Sequence, residues 1–214
     1  KFGGFDSLKK EINGYLYNEE EIKKLKTELS VIKELNVEDY ILSVKKIVDI
    51  AKDNNILVGP GRGSAVSSLL VNKLGITKID PLKYNLLFER FLNKYRKELP
   101  DIDLDVDAEK RNILLNKIAN FFGENKVSQI RTYSTMKAKS VLKKAEEILN
   151  HKIKHNYKIP FRNQINLKNY NKFDNKEKKI FNLLYYLEGL ETAESLHAAG
   201  LIISYDNLLE NIPI

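Results

Sequence analysis

The 214-residue chain reads as an α/β protein, and three observations carry that reading. Apolar residues recur at helical spacing through residues 18–52 and again through 108–122. Short apolar segments at 56–58, 127–133 and 201–204 break up the helices and predict strands. Between them runs Leu99-Pro100-Asp101-Ile102-Asp103-Leu104-Asp105-Val106-Asp107, in which carboxylates and apolar residues alternate strictly.

In an extended strand successive side chains take opposite faces. Asp101, Asp103, Asp105 and Asp107 would then share one face, while Ile102, Leu104 and Val106 enter a core. Same-face neighbours sit about 6–7 Å apart. At that distance, with an effective dielectric near 20, two carboxylates repel by about 2–3 kcal/mol. A hard divalent ion such as Mg²⁺ relieves the repulsion through carboxylate oxygens. Paired ions held this way clamp a phosphoryl group during in-line displacement. A solvated strand face or an incidental calcium site would carry the same pattern, so the run alone leaves these alternatives open.

In chain order, Glu19–Lys33 predicts a charged helix with Ile22, Leu25, Leu29 and Ile32 on one face. Glu38–Lys52 repeats the pattern with Ile41, Val44, Ile47, Val48 and Ala51, and Asn54-Asn55 ends it. Ile56-Leu57-Val58 predicts a short buried strand. Gly59-Pro60-Gly61-Arg62-Gly63-Ser64 then makes a glycine-rich turn into a helix, with Ser64 near the N-cap. Such an arrangement directs backbone N–H groups and the positive helix end at one spot, an anion site, and Arg62 strengthens it. Its spacing matches neither the Walker A loop nor GxGxxG.

Arg90 lies among Leu86, Leu87, Phe88, Phe91 and Leu92, where an arginine needs an anionic partner: Glu89, Glu98 or a ligand phosphate. Ala108–Phe122 predicts an amphipathic helix stopped by Gly123, Val127–Tyr133 a strand, and Thr135–Asn150 a helix bearing Lys137, Lys139, Lys143 and Lys144. Asn182–Leu190 predicts another helix. His197-Ala198-Ala199-Gly200 leads into the strand Leu201–Ser204, with His197 in a local hydrogen-bonding role.

The absence of cysteine rules out disulfides and thiolate metal sites and suits a cytosolic protein. No apolar run reaches membrane-spanning length. Beginning at Lys1 rather than Met, the chain reads as an excised fragment. Residues 131–182 hold 14 Lys/Arg against 4 Asp/Glu, a net of +10, while the remainder holds 22 against 25, a net of −3. The whole formal excess of +7 therefore lies in one segment, which points to a polyanionic partner. Within it Tyr157, Phe161, Tyr170 and Phe173 are interspersed among lysines, as suits nucleic-acid backbones and base stacking.

Five stretches together resemble the bacterial DNA polymerase III alpha subunits, the family C replicative polymerases. They are Val58–Ala65, Asp80-Pro81-Leu82-Lys83-Tyr84, Leu87-Phe88-Glu89-Arg90-Phe91-Leu92-Asn93, Pro100–Asp105 and His197-Ala198-Ala199-Gly200, in matching order and spacing across residues 25–214. The uninterrupted run from Asp80 to Asp101 is similar to the common form rather than the form with a cysteine-rich zinc insertion.

The resemblance implies a palm related to polymerase β-type nucleotidyltransferases, spanning 1–132 and 197–214, with a mostly helical thumb inserted at 133–196. It implies that Asp101 and Asp103 hold Mg²⁺, that Arg62, Gly63, Ser64 and Arg90 face the triphosphate, and that Asp105 has no direct metal role. Primer–template DNA and a dNTP would be the substrates, and Lys137, Lys139 and Lys143 would meet the DNA. The sliding clamp and other replisome subunits would be partners of the longer protein, in the bacterial cytoplasm at the nucleoid. The family's third catalytic aspartate lies beyond the His-Ala-Ala-Gly segment and past Ile214, so the fragment alone is expected to be inactive. The rival expectations are a template-independent transferase of the same fold and a non-catalytic DNA-binding module.

Overall fold

The computed structural model describes residues 2–14, 17–95, 100–152, 174–210 and 212. They form two compact units, Lys1–Val127 with Ile203–Ile214, and Ser128–Ile202. Helices and one small antiparallel sheet make up the described residues, consistent with the α/β class. No helix among them is long and apolar enough to cross a membrane.

The first unit is built on α1 (Gly4–Ile12), α2 (Glu19–Leu35) and α3 (Glu38–Asp53). The two helices predicted over 19–33 and 38–52 are both present. α2 starts at a capping box: Asn18 Oδ1 accepts from the Glu21 amide at 2.8 Å, and the Glu21 carboxylate accepts from the Asn18 amide at 3.0 Å. It ends at Asn36 in the left-handed conformation, as α3 is followed by left-handed Asn55. The buried stripe of α2 is Leu25, Glu28 and Ile32, not the wholly apolar one predicted; Ile22 is exposed. Leu8, Ile32, Ile41, Val48, Leu69, Leu70, Phe88 and Phe91 lie in one core cluster, against which Ile102 and Leu104 pack.

Among the described residues, neither strand predicted near the glycine turn forms a ladder. Val58 and Val106 make a single antiparallel bridge, flanked by Gly59 N–H to Asp105 C=O at 2.8 Å and Asp107 N–H to Leu57 C=O at 3.1 Å. With no third strand beside it among the described residues, this two-segment contact does not propagate into a ladder. Leu57, expected in a buried strand, is 78% exposed. The helix predicted from Ala108 begins later, as α5 (Arg111–Phe122), because Asp107 Oδ1 takes the Glu109 amide at 3.0 Å and turns the chain first. Gly123, at φ +104°, ends it as predicted.

β1 (Val127–Thr135) pairs with β2 (Glu191–Ile203), and all of both strands except Val127 and Ile203 belongs to the second unit. Met136 N–H to Leu190 C=O (2.8 Å) and Gly189 N–H to Met136 C=O (2.9 Å) extend the pairing. The predicted final strand covered only 201–204. Pairing with β1 recruits the polar residues before it, through Thr132 Oγ1 to Ser195 C=O, Thr192 Oγ1 to Ser134 C=O, and an Arg131–Glu194 ion pair. Between the strands lie α6 (Ala138–Ile148) and α7 (Asn175–Leu187), packed through Ala138, Val141, Phe181 and Leu184. The sequence placed the second of these helices at 182–190. An Asp174–Glu177 capping box starts it seven residues earlier, inside what reads as a solvated lysine run. Tyr157, Phe161, Tyr170 and Phe173 lie outside the described residues.

Candidate nucleotide and metal site

The turn at 59–63 is fixed from both sides. Gly59 is bonded to Asp105, and Pro60 C=O accepts from the Lys78 amide at 2.8 Å. Gly61 has φ +99°, and a Cβ there would lie 2.6 Å from Thr77 Cγ2. Gly63 has φ +65°. Two left-handed glycines therefore bracket Arg62, whose own backbone is extended.

The Arg62 guanidinium points towards the acidic run. Arg62 Nη2 lies 3.2 Å from Asp103 Oδ2, and Nε lies 3.4 Å from Asp105 Oδ1. The side chains are 58%, 43% and 61% exposed respectively, so each pair adds only about 0–1 kcal/mol to stability. Orientation is what the pairs contribute. The alternation predicted four aspartates on one strand face; Asp103 and Asp105, neighbours in that set, do share one cation. Gly59 permits their approach, since a Cβ there would stand 3.0 Å from the Asp105 Cβ.

Tyr40 on α3 was not singled out in the sequence. Burial pushes its phenol up from the usual range, and the charges of Asp101 and Asp103 push the same way, against a backbone hydrogen bond with Ile102. Tyr40 therefore lies within the field of both aspartates. No motif marks it; its position just before the apolar Ile41 of the α3 stripe is the only sequence signal. Asp101, Asp103 and Asp105 carry only hard oxygen donors, the type that Mg²⁺ takes, and a cationic side chain already rests on two of them. Their oxygens are not gathered within 4.8 Å of one another.

The helix that follows the turn starts later than predicted. Gly63–Ser67 is a 3-10 turn, and α4 (Leu69–Lys73) is capped by Ser68, not Ser64. Its amino end is already occupied by a carboxyl group of the chain itself. The fully buried Glu28 accepts from the Ser68 hydroxyl at 2.7 Å and from the Leu69 and Leu70 amides at 2.9 Å each. Burial pushes the Glu28 carboxyl above its usual 4.5, while these three hydrogen bonds pull the other way. An external phosphate thus has the first N–H groups of the 3-10 turn and Arg62 to meet, not the end of α4.

Arg90 ends a 3-10 turn, Phe88–Arg90, and its side chain is exposed rather than set among the apolar residues beside it. Its proposed structural partner Glu98 lies outside the described residues. Lys137, Lys139 and Lys143 are exposed in the second unit, the latter two at i, i+4 on α6 opposite buried Val141 and Ala145. His197 Nδ1 accepts from the Ala199 and Gly200 amides at 3.1 and 2.7 Å, the local role predicted for it. A further group, His151, Asp174 and Glu177, gathers within 4.8 Å at the start of α7, where the two carboxylates serve as the capping box.

A family model described as "Bacterial DNA polymerase III alpha NTPase domain" matches residues 6–214. Among curated proteins, the chain is 37% identical over 207 residues to a DNA polymerase III subunit alpha of Buchnera aphidicola, covering 90% of this chain and 18% of that protein. It is 38% identical over 218 residues to the Ureaplasma parvum protein of that name, covering 96% and 22%. A Staphylococcus aureus protein of that name is 36% identical over 206 residues, covering 90% and 19%. The chain spans about a fifth of the length of these relatives.

Proposed function

Because the chain belongs to the bacterial DNA polymerase III alpha NTPase-domain family, we propose that it supplies part of the catalytic core of a template-directed DNA polymerase. The reaction is attack of a primer 3′-hydroxyl on the α-phosphate of a dNTP, with release of pyrophosphate. The observation that carries this reading is the convergence of Arg62 on Asp103 and Asp105. A phosphate-seeking cation and cation-seeking carboxylates occupy one place, as a site for a metal–triphosphate complex requires.

In this reading Asp101 and Asp103 hold Mg²⁺, which when bound polarises the phosphates and lowers the pKa of the attacking hydroxyl. Arg62, the Gly63 and Ser64 amides, and Arg90 hold and orient the triphosphate, work that is mostly positioning and electrostatics. Residues 1–132 and 197–214 form the palm and 133–196 the thumb, whose Lys137, Lys139 and Lys143 contact primer–template backbone. The longer protein works in the cytoplasm at the nucleoid with a sliding clamp and other replisome subunits.

Primer extension by the full chain in its longer natural context, one dNTP at a time, tests the reading. Template-matched incorporation that stops with EDTA supports it. Untemplated addition would favour a terminal transferase, and DNA binding without any incorporation a non-catalytic module.

Two expected results follow from the residues. Arg62→Ala should raise the dNTP KM about ten- to a hundredfold, since a charge-assisted phosphate contact is worth about 1.5–3 kcal/mol. Ser64→Ala should do less, because the backbone donors survive; single-nucleotide kinetics measures both. Primer–template affinity should fall with salt at a log–log slope of about −0.9 per phosphate contact. Reversing the charge of Lys137, Lys139 and Lys143 together should flatten that slope by about one for each phosphate no longer held. Titration from low to moderate salt reads the change.

A further inference from the structure

Asp103 has two claims on it. In the structure its Oδ2 forms an ion pair with Arg62 Nη2 at 3.2 Å, yet in the function proposed above the same carboxylate serves the divalent cation. A guanidinium and a divalent cation repel each other, so the two do not share one carboxylate edge. Asp105 is placed differently. Its Oδ1 lies 3.4 Å from the Nε of the same guanidinium as an ion pair, and its backbone C=O accepts from the Gly59 N–H of the turn at 2.8 Å. Gly59 has no Cβ to hold the two segments apart. The left-handed Gly61 and Gly63 fix the backbone on either side of Arg62.

We infer that Asp105 is the positioning residue for Arg62: it retains the guanidinium at the turn when a divalent cation claims Asp103, so cation arrival swings Arg62 from a carboxylate towards the nucleotide phosphates without releasing it. This rests on the polymerase reading for the phosphates and for the cation's claim on Asp103; the Arg62 ion pairs with Asp103 and Asp105 are given by the geometry. It gives the third aspartate of the acidic run, which the metal does not need, a task set by its contact with Nε.

Mn²⁺, followed by the loss of its free-ion EPR signal, is the probe, with the full chain as wild type, Arg62→Gln, Asp105→Asn, the double variant and Lys78→Gln. Arg62→Gln should tighten Mn²⁺ binding about tenfold by removing the competitor. Lys78→Gln, which removes a neighbouring positive charge not bonded to any aspartate, should change it less than twofold. In dNTP kinetics of the longer natural protein, Asp105→Asn should raise KM about tenfold with little change in kcat. In the Asp105→Asn background, Arg62→Gln should add less than threefold, because the residues act as one unit. Equal Mn²⁺ responses to Arg62→Gln and Lys78→Gln, or additive KM effects, would overturn the inference even while metal-dependent extension persists. Failure of extension with the Mn²⁺ competition intact would instead sink the polymerase reading and leave the Arg62–Asp103 exchange standing.

Discussion

Asp101→Asn or Asp103→Asn in the longer natural protein should reduce template-directed incorporation about a thousandfold or more, with primer–template affinity nearly unchanged. Asparagine keeps the shape but removes the charge that draws a hard cation. The transition-state charge stabilisation that a catalytic metal supplies is several kcal/mol, and each 1.4 kcal/mol is a factor of ten in rate. DNA affinity should hold because removing a negative charge weakens no phosphate contact. Asp105→Asn should be milder, since its carboxylate holds Arg62 rather than a metal. Pre-steady-state primer extension alongside equilibrium DNA binding checks the split. Comparable losses at all three aspartates would mean that the run works as a bulk acidic field.

The second large effect is on folding. Glu28→Ala should destabilise the first unit by about 3–5 kcal/mol, because it leaves the Ser68 hydroxyl and the Leu69 and Leu70 amides buried without an acceptor. Chemical denaturation at neutral pH measures it. Glu28→Gln should cost less, since one acceptor oxygen remains and no buried charge is needed. The pH dependence separates the two. Burial raises the folded-state pKa of Glu28 above the usual 4.5, so its proton is held more firmly in the folded chain. Its contribution is therefore full below about 4.5 and is lost as pH rises through the raised value. Wild type should gain on Glu28→Gln as pH falls from neutral towards 4.5. A constant gap across that window would place the burial cost elsewhere.

Glu28 also marks where reading the sequence stops. At positions 25, 28 and 32 it occupies a core site of the α2 stripe, but a glutamate in a helix with so many charges looks solvated. What it caps lies about forty residues further on, and only tertiary structure joins the two. Ser68 took the cap predicted for Ser64 for the same reason. A 3-10 turn delayed the helix, and the buried carboxylate determined where it could begin. The glycine turn and the acidic run were legible because their chemistry is written in consecutive residues. Their meeting through Arg62 was not, since it crosses some forty residues of chain. The predicted acidic strand lacked a neighbour to complete its ladder. β2 was underread because pairing, not propensity, extends it back through Glu191.

The second unit leaves and rejoins the first at a narrow doorway. Ser204 N–H donates to Lys126 C=O at 2.9 Å, so the exit and return of the chain are one hydrogen bond apart. For the first unit, everything from 128 to 202 is one closed loop, shut at its neck. The entropy of closing a loop grows only with the logarithm of its length, about 0.6 kcal/mol for each doubling. Residues can be added to or trimmed from the α6–α7 segment with little thermodynamic consequence for the core that carries Arg62 and its aspartates. Such a neck uncouples the length of the chain between 128 and 202 from the fold of the first unit.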